Sequence, residues 1–146
     1  WKELSGKALN VFARGREIAA KNGLILGDTK DEGGFDKNGH AWITGRGSGL
    51  LVKLEPLTHQ LYEYTPPIPY PTTYEALPDK NGDIWVAVIQ SGIFYRFTPK
   101  TEKWVGYRLP EPYSPNRRAW IDNSTTPVSV WYVDHNGYMV RVQPLD

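Results

Sequence analysis

Apolar residues along this chain gather in short runs bounded by glycine, proline and Asx turns, rather than recurring at helical spacing. The clearest stretch is 79–99, DKNGDIWVAVIQSGIFYRFTP. An Asn-Gly turn opens it, and Asn-Gly tolerates the positive φ that a tight type I′ turn demands. An apolar run over 84–89 follows, then a second glycine turn, a second apolar run, and a proline that stops it. The unbroken IWVAVI predicts a strand covered on both faces, where strict alternation is unnecessary.

The same order appears upstream at 36–56, and more loosely downstream at 122–144. Upstream it predicts strands at His40–Thr44, Leu50–Glu55 and Gln60–Tyr64, with a glycine-rich turn at 45–49. The pairs Asp36/Asp79, Trp42/Trp85, Gly49/Gly92, Pro56/Pro99, Thr58/Thr101 and Tyr64/Tyr107 all share an offset of 43 positions. Trp131, Gly137 and Pro144 lie 46, 45 and 45 positions beyond their counterparts, the extra residues falling in the turn 123–127. Each unit's first strand precedes its aspartate, at Thr73–Leu77 and at Arg118–Ile121. Four prolines in 66–71 predict a stiff, extended connection. The first 26 residues are least regular. Alternation in ALNVFAR favours a strand over 8–14, while REIAAKNG reads alternatively as one or two helical turns closed by Asn22-Gly23. The segment 28–34 reads as a polar loop.

Four short strands repeating at about 43 residues are the signature of β-propeller blades, which bury their apolar faces by stacking on one another. The expected fold is therefore all-β, with blades of four antiparallel strands. Residues 1–35 form N-terminal strands and a loop at the end of a preceding blade, and three repeats follow at about 36–71, 72–115 and 116–146. Trp42, Trp85 and Trp131 become equivalent core residues in each second strand. Three blades make an incomplete ring, since propellers close with about four to eight. Three arrangements complete it: a longer propeller of which this is a cut portion, a second copy giving a six-bladed ring, or blades from other chains. The first is simplest, and the missing last strand of the third repeat favours it.

Composition narrows the function classes. A net charge of +1, with no basic block among the aromatics, does not favour a nucleic-acid partner. No apolar run approaches the ~20 residues of a membrane helix. The absence of cysteine excludes disulfides, iron–sulfur clusters, thiol catalysis and zinc-thiolate sites. Trp1–Asn10 lacks the features of a signal peptide, although a chain beginning at Trp1 is compatible with one already removed.

Repeats of the form D-x-N-G-x-x-W, then G-x-x-x-[KR]-x-x-P-x-T, then a tyrosine and a proline-rich stretch resemble those of the streptogramin lyase-like (virginiamycin B lyase-like) β-propellers. The residues are Asp36, Asn38, Gly39, Trp42, Gly49, Lys53, Pro56 and Thr58, and again Asp79, Asn81, Gly82, Trp85, Gly92, Arg96, Pro99 and Thr101. The third repeat keeps Trp131, Gly137, Arg141 and Pro144, without Asn-Gly after Asp122. Gluconolactonase-like and NHL-type propellers share much of the pattern. The resemblance implies a periplasmic or secreted protein. The family's named enzyme is a magnesium-dependent lyase that opens a cyclic depsipeptide at its ester with a histidine base. No residue here matches that histidine by motif, and fold does not imply function.

Blade topology sorts the turns. The D-x-N-G and P-x-T turns share one end of the blades. The turns between second and third strands share the other end with the blade-to-blade connections, and candidate chemistry belongs there. His135 is the candidate general base, its ordinary reading being an exposed turn residue. Arg117 and Arg118 would clamp a carboxylate or phosphate, against the plainer reading of ion pairs with neighbouring blades. Tyr70, Tyr74, Tyr113 and Trp120 would stack on a sugar or aromatic ligand, or pack between blades. Arg46 and Gln90 complete the set. His40 and His59 fall at the opposite end and are discounted. Asp36-x-Asn38 and Asp79-x-Asn81 superficially suggest a calcium loop, but the glycine comes too early and no glutamate stands at the twelfth position. Two functions follow. One is an extracytoplasmic module binding a ligand or protein, with other blades as partners. The other is a lyase or lactonase using Mg²⁺ on a cyclic ester.

Overall fold

The computed structural model describes residues 10, 13–14, 16–23, 33–89, 91–110, 118–134 and 137–145. The chain divides into two units, Trp1–Asp31 and Glu32–Asp146.

In the first unit the described residues 16–21 are helical, as are Asn10, Ala13 and Arg14, in place of the strand expected over 8–14. Strong helix formers in REIAAK outweigh the weak alternation before them. Gly23 ends the helix in the left-handed region (φ 70°), and its amide donates to the Ala20 carbonyl at 3.1 Å. The Asn22 side chain donates to the Ile18 carbonyl at 2.9 Å.

The second unit is all-β. Blade 1 comprises β1 (Gly33–Phe35), β2 (Ala41–Thr44), β3 (Leu51–Glu55) and β4 (Gln60–Tyr64). Blade 2 comprises β5 (Thr73–Pro78), β6 (Ile84–Val88), β7 (Ile93–Thr98) and β8 (Lys103–Arg108). Blade 3 comprises β9 (Ala119–Asp122), β10 (Ser129–Val133) and β11 (Met139–Val142). Every neighbouring pair is antiparallel. These are propeller blades, as the repeat predicted, with no closed ring among the described residues.

One strand was hidden in the sequence. β1 lies where a polar loop was expected, because Gly33 and Gly34 carry no pattern. Their lack of side chains is what lets the strand fit. A Cβ on Gly33 would run into the Trp42 carbonyl, and one on Gly34 would sit 2.7 Å from the Pro78 ring. The proline-rich connection also differs from the extended form expected. Ile68 donates its amide to the Pro66 carbonyl at 2.8 Å, folding the chain back so that Ile68 packs on the core between blades 1 and 2.

The core is two layers, divided by β6. Ile84, Val86 and Val88 point toward blade 1 and pack with Trp42, Leu51 and Phe97. Trp85 and Ala87 point the other way and pack with Phe94, Val128, Val130 and Tyr132. All five β6 residues are buried. A strand's two-residue period sends successive side chains to opposite faces, so one unbroken apolar strand serves both interfaces.

Candidate functional site

The recurring polar residues of the repeat are built into the blades. Asp79 Oδ1 accepts the backbone amides of Asn81 at 2.8 Å and Asp83 at 3.1 Å, while Oδ2 accepts the Trp85 indole N–H at 3.0 Å. Asp36 does the same for Asn38, His40 and Trp42 at 2.8, 3.1 and 3.0 Å, and Oδ2 also meets His40 Nδ1 at 3.0 Å. The carboxylate thus closes the turn and anchors the core tryptophan six residues on. Burial works against the charge of Asp36, but the Trp42 indole, His40 and the two amides outweigh it and hold the carboxyl below its ordinary value. Neither aspartate has the geometry of a calcium loop.

Asp134, just after β10, bonds Gly137 and Tyr138, just before β11, in a similar way. The Asp134 amide donates to the Tyr138 carbonyl at 3.0 Å, the Gly137 amide donates to the Asp134 carbonyl at 3.2 Å, and Asp134 Oδ1 accepts the Tyr138 amide at 2.9 Å. The counterpart inferred from spacing, at Asp122, is closed differently. The Ser124 hydroxyl and amide bond its carboxylate and hold it below its ordinary value. That turn meets the blade 2 turn, where the Lys80 amide donates to Asn123 Oδ1 at 2.8 Å and Lys80 Nζ to the Thr125 carbonyl at 2.7 Å.

The opposite end carries the blade-to-blade connections. Thr73, buried at the start of β5, donates to carbonyls of the β2–β3 turn, reaching Leu50 at 3.1 Å. Thr44 Oγ1 donates to the Tyr74 carbonyl at 2.7 Å. Gly49 adopts φ 72° with Pro71 against its Cα. Glu75 accepts the Ala119 amide at 2.7 Å, joining the inner strands of blades 2 and 3. Glu75 was not singled out from the sequence. A charged residue within an inner strand is the signal that marks it.

The predicted site residues distribute as follows. Arg46 is exposed in the β2–β3 turn. Tyr70 is 98% exposed in the β4–β5 connection, with φ 50°. Tyr74 lies in β5, half-buried against the core between blades 2 and 3. Arg118 is exposed just before β9. Gln90, Tyr113, Arg117 and His135 lie outside the described residues. Trp120 belongs to another surface. It stands opposite Trp131 across β9 and β10, on the outward face of blade 3, and is 73% exposed.

That outward face shares its register, and its tryptophan and arginine, with a face that is covered elsewhere. Trp85 pairs with Arg96 and Leu77, and Trp131 pairs with Arg141 and Trp120. Ala87 pairs with Phe94, and Val133 with Met139. Arg96 lies 5.9 Å from the Trp85 ring centre, and Arg141 lies 5.6 Å from that of Trp131. Trp85, Ala87 and Phe94 are buried under blade 3, whereas Val133 and Met139 are 59% and 72% exposed.

Solved structures resemble this arrangement. Virginiamycin B lyase from Staphylococcus aureus superposes with a TM-score of 0.63 at 14% identity, over 83% of this chain and 43% of that one. A streptogramin B lyase gives 0.58 at 20% identity, over 82% and 42%. The fold is that of the streptogramin lyase-like β-propellers. The extracellular domain of a one-component system from B. thetaiotaomicron shares it, with a TM-score of 0.59, 18% identity and coverage of 81% and 16%. The chain thus spans less than half the length of each of these propeller structures.

The streptogramin lyase-like fold is accompanied by a second likeness. The family model of SAICAR synthetase matches residues 1–44. Proteins named as phosphoribosylaminoimidazole-succinocarboxamide synthase 2 in Mesorhizobium japonicum and Agrobacterium fabrum are 59% and 62% identical over 39 residues. Those residues are 27% of this chain and 12% of each relative. The family match ends at Thr44, the last residue of β2, so it includes the hairpin carrying the Asp36–Trp42 bond.

Proposed function

We propose that the chain is an extracytoplasmic β-propeller module that binds a ligand or protein at the connection end of its blades, and that blades of the same or another chain complete its ring. The carrying observation is the division of labour among polar residues. The repeated aspartates are engaged within the turns, whereas Arg46, Tyr70 and Arg118 reach solvent from the unequal connections at the other end. A planar cation and an exposed aromatic at one end supply ion-pairing and stacking groups. Gln90, Tyr113, Arg117 and His135 extend this candidate surface. Extracytoplasmic placement is supported by the extracellular domain among the neighbours.

A second reading is an enzyme opening a cyclic ester, and the two lyase structures favour it. His135 would be its base and Mg²⁺ its cofactor. Among the described residues no group of three His, Asp or Glu stands ready to hold a metal ion, so no step through one is derived.

Quinupristin, the ligand named for a catalytically inactive virginiamycin B lyase of this fold, serves as the probe. Titration calorimetry is expected to show saturable binding weakened at least tenfold by Arg46→Ala with Tyr70→Ala, and mass spectrometry is expected to recover the peptide intact. Recovery of a linear product lost in His135→Ala would establish the enzyme reading instead. Absence of saturable binding would contradict this ligand class for the module.

A further inference from the structure

Tyr70 holds a backbone conformation that a bulky residue rarely adopts, and its ring is 98% exposed. Among the described residues, His59 (φ 59°) and Glu102 (φ 53°) also carry positive φ, and both have a structural reason. They stand 43 positions apart, each closing a hairpin just before an outer strand, β4 or β8. Tyr70 (φ 50°) closes no hairpin. Its connection joins blades 1 and 2, which already cover one another, and the exposed ring adds nothing to that packing.

The conformation is held from both sides. Ile68 is anchored in the core and folded back on the Pro66 carbonyl, and Pro71 lies against Gly49. The Thr72 carbonyl accepts the Ile89 amide at 2.9 Å. The sequence repeats the motif, since Pro67/Pro110, Pro69/Pro112 and Tyr70/Tyr113 share the blade offset of 43. Aspartate and tryptophan recur at that offset because they build the turns and the core. A tyrosine that recurs at the same offset, and at Tyr70 stands strained in solvent, serves something outside the chain.

We propose that Tyr70 stacks on the sugar rings of an acidic polysaccharide, a polymer of uronates, while Arg46 and Arg108 pair with its carboxylates. This rests on the ligand-binding reading above and names the ligand class for that end of the blades. Arg46 lies exposed in the turn whose Gly49 meets Pro71. Arg108 lies exposed at the end of β8, where the next connection leaves. A pyranose ring offers a face of C–H groups to an aromatic ring, and a uronate adds a planar carboxylate that matches a guanidinium. Equal contacts, one per connection, suit a chain of equal units. A net charge of +1 without a basic block leaves too few cations for a polymer with a phosphate on each unit.

Titration calorimetry of the full chain with hexasaccharides of galacturonate, mannuronate and guluronate tests the idea, with neutral maltohexaose beside them. Saturable binding of at least one uronate is expected, and none of maltohexaose at the same concentration. Tyr70→Phe should keep the affinity. Tyr70→Asn should weaken it about tenfold or more yet leave the thermal midpoint equal or higher, since asparagine accepts left-handed backbone. Arg46→Ala with Arg108→Ala should also weaken it and flatten its dependence on salt. A lower midpoint in Tyr70→Asn would make the tyrosine a structural part and overturn the proposal. So would equal binding of maltohexaose, or tighter binding of oligothymidylate than of any uronate. If quinupristin binds and no uronate does, this inference fails while the ligand-binding reading stands; if neither binds, both fail.

Discussion

The Trp85 indole N–H donates to Asp79 Oδ2 at 3.0 Å, within the core between blades 2 and 3. The bond ties a turn at the end of the blade to the ring that anchors the interface. Asp79→Ala removes three hydrogen bonds to one carboxylate and strands a buried indole donor. Charged hydrogen bonds contribute about 1.5–3 kcal/mol each, so a loss of about 3 kcal/mol is expected in urea denaturation. Asp79→Asn should cost less, because its oxygen can keep the turn amides while its amide nitrogen faces the indole donor.

Phe94 and Phe97 lie three residues apart in β7 but belong to different interfaces. Phe97 packs against Trp42, Tyr64 and Trp104, with ring centres 6.0, 4.6 and 4.5 Å away. Phe94 packs against Trp85 and Tyr132, both at 6.3 Å. Each change to alanine is expected to cost about 3–5 kcal/mol. Tryptophan fluorescence should separate them. Phe97→Ala should perturb the surroundings of Trp42 and Trp104, and Phe94→Ala those of Trp85, as single-tryptophan backgrounds would report.

Two glycines with positive φ should respond differently to alanine. Gly82 has φ 91° and open space around the added Cβ, so Gly82→Ala should cost about 1–2 kcal/mol for backbone conformation alone. Gly49 has φ 72°, and its added Cβ would strike the Pro71 carbonyl and come within 2.7 Å of the Pro71 ring. Its substitution should cost about 3 kcal/mol or more in the same assay, because strain and collision add.

Asp36 gives a pH dependence. Its folded carboxyl is held below the ordinary value, so unfolding takes up a proton in acid. The stabilisation is present above the unfolded pKa of about 3.9 and is lost as pH falls through the lower folded value. Thermal midpoints should therefore fall more steeply below about pH 4 in the wild type than in Asp36→Asn. Parallel curves for the two would contradict the assignment.

The blades were legible because aspartate, tryptophan, glycine and proline recur in register, and each marks a turn, an anchor or a stop. β1 was not legible, because its informative feature is the absence of side chains at Gly33 and Gly34. Spacing places Asp134 and Gly137 in the connection between second and third strands, and the structure has them between β10 and β11. The local hydrogen bonds follow the D-x-N-G form and are indifferent to which strand pair they close. Trp120 read as a residue of the connection end, since position in sequence does not reveal facing. Only its register opposite Trp131 places it on the open sheet face. Glu75 carries no local signal, because its partner is a backbone amide 44 residues away.

The central claim is that the blades stack through two faces of one fully buried strand, β6. Native-state hydrogen exchange tests it most directly. The amides of Ile84–Val88 should exchange slowest in the second unit, through global unfolding, while those of β4 and β11 open at lower free energy. Equal protection of β6 and β11, or faster exchange in β6, would contradict the stacked-blade account.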